Sequence, residues 1–84
     1  MSVYVDQMFS WPGHKTQWCH MWADSLQELH LMASLIGLHR EWFQCTGRRK
    51  FEHYDLKLSK RKLALHCGAK EMCLKEYIKG RRAV

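Results

Sequence analysis

The chain opens with alternation. In residues 2–6, Ser-Val-Tyr-Val-Asp, Val3 and Val5 fall on one side and Tyr4 on the other, which predicts a first strand. The same period returns at residues 18–22. There Trp18, His20 and Trp22 share one face, and Cys19 and Met21 share the other. Between the two strands the only proline stands beside a glycine in Ser10-Trp-Pro-Gly-His14, a turn or loop. From Ala23 the apolar spacing changes to three and four. Leu26, Leu29, Ala33 and Ile36 then line one side of a helix from about Ser25 to Ile36. Ser25 with Glu28 forms a capping box, and Gly37 is a natural C-terminal stop. Leu31, Leu35 and Leu38 widen the apolar surface, which predicts burial on more than one side.

The second half is less regular. Glu41–Cys45 reads as a short strand or extended segment, and Thr46–His53 as a basic loop opened by Gly47. Tyr54–Leu58 is extended or leads into a helix. Ser59–Gly68 is helical, with Ser59 as N-cap and Gly68 as C-cap. Ala69–Cys73 is a short strand, Leu74–Gly80 a final helical turn or two, and residues 80–84 a frayed basic tail. The order β-β-α-β-α-β-α predicts an α/β domain, with α+β as the neighbouring class: one domain over residues 1–84, a short mixed sheet covered by two or three helices. The pattern leaves strand order open.

Composition narrows the class. Eighty-four residues, 46% of them hydrophobic, suit a single packed domain near the lower size limit, and a chain this small is a candidate homodimer. No apolar run approaches the ~20 residues that span a bilayer. The N-terminus carries an early acid and no basic region, unlike a signal peptide. The expectation is a cytoplasmic protein with no membrane partner. The four cysteines, at 19, 45, 67 and 73, form no CxxC, so they are expected to be reduced and mostly buried as small hydrophobes.

Charge changes the picture more. Fourteen Lys and Arg face eight Asp and Glu, for a net +6. The excess lies in the second half, in Arg48-Arg49-Lys50, Lys57, Lys60-Arg61-Lys62 and Lys79 to Arg82. Such a field favours a nucleotide, nucleic acid or an acidic protein surface; it is also what a solvated basic face looks like. Trp42 and Phe43 before the Arg48 loop, and Phe51 and Tyr54 after it, are either stacking platforms or core. Cations at the start of the Ser59 helix oppose its dipole, a conflict that a bound anion would remove.

Two stretches carry candidate chemistry. His20, Asp24, Glu28 and His30 cluster about the strand–helix junction, where free N–H groups suit an anion and a histidine beside a carboxylate suits a base or a metal ligand. Capping explains Asp24, Ser25 and Glu28 equally well. His53 and Asp55 point the same way in an extended segment, and with His20 and Asp24 they would supply two histidines and two carboxylates for a divalent metal, with Asp6 able to join. No HExxH, zinc spacing, Walker loop, GxGxxG or GxSxG occurs.

Several motifs, in order, resemble those of a family of small bacterial and phage proteins described only as a domain of unknown function. They are Tyr4-Val-Asp6 with Met8, His20-Met, Ala23-Asp24, Glu28-Leu-His30, Ile36-Gly37, Trp42-Phe-Gln44, His53-Tyr-Asp55, Ser59-Lys-Arg61 and Gly68-Ala69. The resemblance runs from residue 4 to about residue 70. It implies a phage or prophage setting as readily as a bacterial one, and it implies that Asp6, His20, Asp24, His30, His53 and Asp55 belong to a site. It brings no activity with it, and the Arg48 loop and basic tail are not part of it.

Three functions follow as expectations. The first is an accessory or counter-defence protein that binds a phosphate-bearing ligand, nucleotide or nucleic acid, through His20, Asp24, His30, Arg48, Arg49, His53, Asp55 and Arg61, with no cofactor. The second is a metal-dependent hydrolase with a divalent ion among His20, Asp24, His53 and Asp55. The third is an inhibitor whose basic face docks on an acidic host protein. The residues leave enzyme against binder open.

Overall fold

The computed structural model describes residues 2–10, 13, 15–46 and 51–82; for Thr46, Arg81 and Arg82 it describes the backbone alone. Among the described residues the order is β1 (Val3–Val5), β2 (Phe9–Ser10), β3 (Gln17–Ala23), α1 (Leu26–Leu35), a 3₁₀ turn (Arg40–Trp42), β4 (Gln44–Thr46), β5 (Phe51–Leu56), α2 (Leu58–His66), β6 (Lys70–Glu71) and α3 (Leu74–Arg82). The strands form one mixed sheet in the order β4-β5-β3-β1-β6, with β2 paired to the start of β3. The β1–β6 pair is parallel and the other pairs are antiparallel. The α/β class, the mixed sheet and the helical cover are therefore as the pattern predicts.

The alternation along β1 and β3 decides what each side of the sheet holds. Register puts Val5 opposite Met21, and Met21 opposite Tyr54; Cys19 faces Leu56. These residues point to the side covered by α1 and α2, and Val5, Cys19, Met21 and Leu56 are fully buried there. Burial of each large side chain is worth roughly 1.5–3 kcal/mol. Leu29, Met32, Ala33 and Ile36 of α1, and Ala64 of α2, complete this core. The other side carries Tyr4, His20, Trp22, His53 and Asp55, and α3 covers only one end of it, through Tyr77 against Tyr4 and Trp22.

Helix α1 ends as its sequence dictates. Ser25 accepts from the Glu28 amide and its hydroxyl donates to the Glu28 carboxylate. At the far end Gly37, at φ 80°, allows Leu38 N–H to reach Ala33 O and Gly37 N–H to reach Ser34 O. The same double closure ends α2 at Gly68, through Ala69 to Ala64 and Gly68 to Leu65.

The structure corrects six expectations. Leu31 and Leu35 are 60% and 71% exposed, so α1 buries one side only. The N-cap of α2 is Lys57, not Ser59, because a single residue joins buried Leu56 to the helix. Phe51–His53 belong to β5 rather than to a loop, and Glu41 lies in a 3₁₀ turn rather than a strand. Helix α3 runs through residues 80–82. Of the four free cysteines, only Cys19 is buried; its thiol pKa is pushed up to about 12, chiefly by that burial.

Candidate metal centre

The side of the sheet away from α1 and α2 gathers three ligating side chains from two strands. The β3–β5 register sets His20 directly opposite Asp55. His53 precedes Asp55 by two residues on β5, so the pleat turns both side chains to the same side. His20 and His53 are then diagonal neighbours, with ring centroids 5.3 Å apart. One ligating atom from each of His20, His53 and Asp55 lies within 4.8 Å of the other two.

The imidazoles are oriented by their second nitrogens. Strand β1 stops at Val5; Asp6 N–H still donates to His20 O, and its carboxylate takes the return bond. Asp6 Oδ1 accepts from His20 N–H at 2.6 Å, while Oδ2 lies 2.7 Å from His20 Nδ1. A carboxylate at that distance holds the proton on Nδ1. His53 Nδ1 lies 3.0 Å from Phe51 O. A carbonyl oxygen only accepts, so His53 Nδ1 also carries the proton. Both neutral rings therefore keep their Nε2 lone pair, the form in which histidine binds a metal. His53 Nε2 lies 3.5 Å from Asp55 Oδ1. The other Asp55 oxygen accepts from Gln44 Nε2 at 2.8 Å, which fixes the carboxylate from β4.

The surroundings are dry but not closed. Phe51 stacks on His53 at 4.5 Å and Phe9 on His20 at 4.9 Å. The His53 side chain is 6% exposed, His20 23% and Asp55 33%, so solvent reaches the cluster from the His20–Asp55 side. The hydrogen bond to Asp6 raises the His20 pKa, against the opposing effect of its burial. Metal bonds of ~2.0–2.2 Å set donor atoms roughly 3–3.4 Å apart, so the three groups must close by about an ångström around an ion. Two histidines and one carboxylate leave further coordination positions for water or substrate.

The remaining candidates lie elsewhere. Asp24 accepts from Ser2 N–H, Tyr4 OH and Tyr77 OH, fastening β1 and α3 to the end of β3. Burial works to raise its pKa, but these bonds outweigh it and the net shift is downward. His30 is on the helix side, with Nδ1 2.9 Å from Tyr54 OH; burial first, then Arg40, lowers its pKa. Arg61, also on that side, donates from Nε to Asp6 O at 3.0 Å and from its guanidinium to Glu71 at 2.7 Å. It therefore pins the backbone of the residue that orients His20. Arg48 and Arg49 lie outside the described residues. In the sequence Gln44 stands out only within the Trp42-Phe-Gln44 motif, with no role attached; the β4–β5 pairing, which sets it opposite His53, brings it to Asp55.

No curated protein and no solved structure matches the chain. No helix of the described residues is long and apolar enough to cross a membrane. A family model described as "Protein of unknown function (DUF4031)" matches residues 3–84, from the strand that leads to Asp6 through α3, and the chain belongs to that family.

Proposed function

We propose that the protein is a metal-dependent hydrolase of a phosphate-bearing substrate, with a first-row divalent ion held by His20 Nε2, His53 Nε2 and the Asp55 carboxylate. One observation carries this reading. Both histidines are tied through Nδ1, by Asp6 and by Phe51 O, so that both lone pairs remain for a shared partner beside Asp55. The ion would acidify a bound water and polarise a phosphoryl oxygen. Asp6 and Gln44 hold the ligands, and Phe9 and Phe51 keep the dielectric low around them. A net charge of +6 favours an anionic substrate.

Calorimetric titration of chelator-stripped protein with Zn²⁺ and Mn²⁺ tests the reading, followed by release of p-nitrophenol from bis(p-nitrophenyl) phosphate. The expected result is one site per chain, weakened at least a hundredfold in His53→Ala and Asp55→Asn, and hydrolysis that needs the ion. Absence of binding at millimolar ion, or affinity unchanged in both variants, would overturn it.

A further inference from the structure

A cavity of about 600 Å³ opens beside the cluster, and Asp55 belongs to both. Its chemistry is divided. Trp18 from β3 and Trp42 from the 3₁₀ turn supply aromatic faces, and Lys57, Ser59 and Lys60 from the start of α2 supply donors and charge. Trp42 is 51% exposed, an unusual position for so large a ring in a small domain. Lys57 Nζ sits 5.2 Å from the Trp18 ring, so cation and stacking surface adjoin. Lys60 Nζ donates to Ile36 O at 2.7 Å, which fixes its ammonium at the cavity wall. The first turn of α2 has no side-chain cap and no acidic residue. Glu41, next to Trp42, adds an acceptor suited to hydroxyl or amino groups.

We infer that this cavity binds a 5′-mononucleotide unit, with the base between Trp18 and Trp42 and the phosphate at Lys57, Ser59 and Lys60, its ester facing Asp55. The inference rests on the metal-centre reading for its chemistry but not for its binding. A nucleotide answers each part of the wall: a flat ring for two indoles, a ribose for Glu41, and a dianion for two ammonium groups. The volume falls within the range of small-molecule sites. Inorganic phosphate alone would leave the tryptophans unused, and a nucleoside alone would leave the lysines unused.

The test is tryptophan fluorescence of the full chain titrated with AMP, GMP, CMP and UMP, with and without Mn²⁺. Adenosine and ribose 5-phosphate serve as the two halves. At least one mononucleotide should bind without metal, and each of its halves at least tenfold more weakly. Trp42→Ala and Lys57→Glu should each weaken binding at least tenfold and leave Mn²⁺ affinity unchanged. Both side chains are exposed, and circular dichroism is to check that the variants fold. Failure of all four nucleotides to bind at millimolar concentration, or equal binding by both variants, overturns the inference. Mn²⁺ binding without nucleotide binding removes the pocket and leaves the metal centre. Nucleotide binding that persists in a protein unable to hold Mn²⁺ removes the metal centre and leaves the pocket.

Discussion

The two sides of the sheet use the same strands for different ends. Toward α1 and α2, β3 and β5 present Cys19, Met21, Tyr54 and Leu56, all nearly or fully excluded from solvent. One residue along, the same strands present His20, His53 and Asp55 to the other side. A one-residue shift in register would exchange the two sets. The core that fixes the register on one side therefore also fixes the cluster on the other. Each side also has a histidine with a single oriented nitrogen. His30 meets the hydroxyl of Tyr54, and burial, then Arg40, lowers its pKa; His20 meets the carboxylate of Asp6, and that hydrogen bond raises its pKa. Partner chemistry, more than residue type, separates a structural histidine from a candidate ligand.

The largest expected effect that separates the two sides is in stability. Leu56→Ala, at a fully buried site, should cost about 2–5 kcal/mol in urea unfolding. Asp55→Asn, its half-buried neighbour on the other side, should change stability by less than about 1 kcal/mol, since the amide oxygen can still accept from Gln44 Nε2. Equal losses from the two would erase the distinction between a core side and a functional side.

Next comes the shell behind the ligands. Asp6→Asn should lower Zn²⁺ affinity by about 10–100-fold, the usual cost of losing a group that orients a metal-bound histidine. Tyr54→Phe, which removes the corresponding partner of His30, should leave Zn²⁺ affinity within about twofold. Calorimetry on the two variants sharpens the contrast, and a reversed ranking would put the site on the wrong side.

The pH dependence of metal-free protein gives a smaller effect of opposite sign for the two histidines. The raised His20 pKa means the folded state holds that proton more tightly. Its stabilisation is complete below the unfolded value of about 6.5 and is lost as pH rises through the folded pKa. The lowered His30 pKa does the reverse: its stabilisation is present above about 6.5 and is lost as pH falls through the folded value. Replacing His30 with Asn should therefore leave a protein that weakens more clearly with rising pH. His20→Asn should leave one that weakens with falling pH. Thermal melts between pH 5 and 8 distinguish them. The smallest effect is at Ser25, where Ala should cost about 1 kcal/mol through the lost cap alone.

Local chemistry was legible in the sequence wherever neighbouring residues decide it. The Ser25–Glu28 cap, the Gly37 and Gly68 stops and the alternation of β1 and β3 depend on residues within a turn or a pleat of each other. Leu31 and Leu35 misled because apolar residues on a helix do not reveal how many neighbours the helix has; among the described residues the sheet and the 3₁₀ turn meet α1, and Leu31 and Leu35 stay exposed. Ser59 misled because its type suits an N-cap, whereas the end of β5 sets where α2 begins. The cluster itself was half legible. His53 and Asp55 share a side by spacing, and His20 and Asp6 were candidates to join them. Their convergence depends on β5 lying beside β3, a long-range pairing that no local pattern encodes. Asp24 was drawn toward the site by proximity in sequence, yet Tyr4 and Tyr77 turn it to the opposite end of β3.

The central claim is that His20 and His53 offer their Nε2 atoms to one ion while their Nδ1 atoms stay protonated. Long-range ¹H–¹⁵N spectra of the imidazoles, recorded on stripped protein and after one equivalent of Zn²⁺, observe those four nitrogens directly. The account predicts that Nε2 of His20 and His53 moves to the metal-bound range together, that both Nδ1 protons persist, and that His30 does not move. Unchanged spectra at excess Zn²⁺, or shifts confined to other histidines, would contradict it.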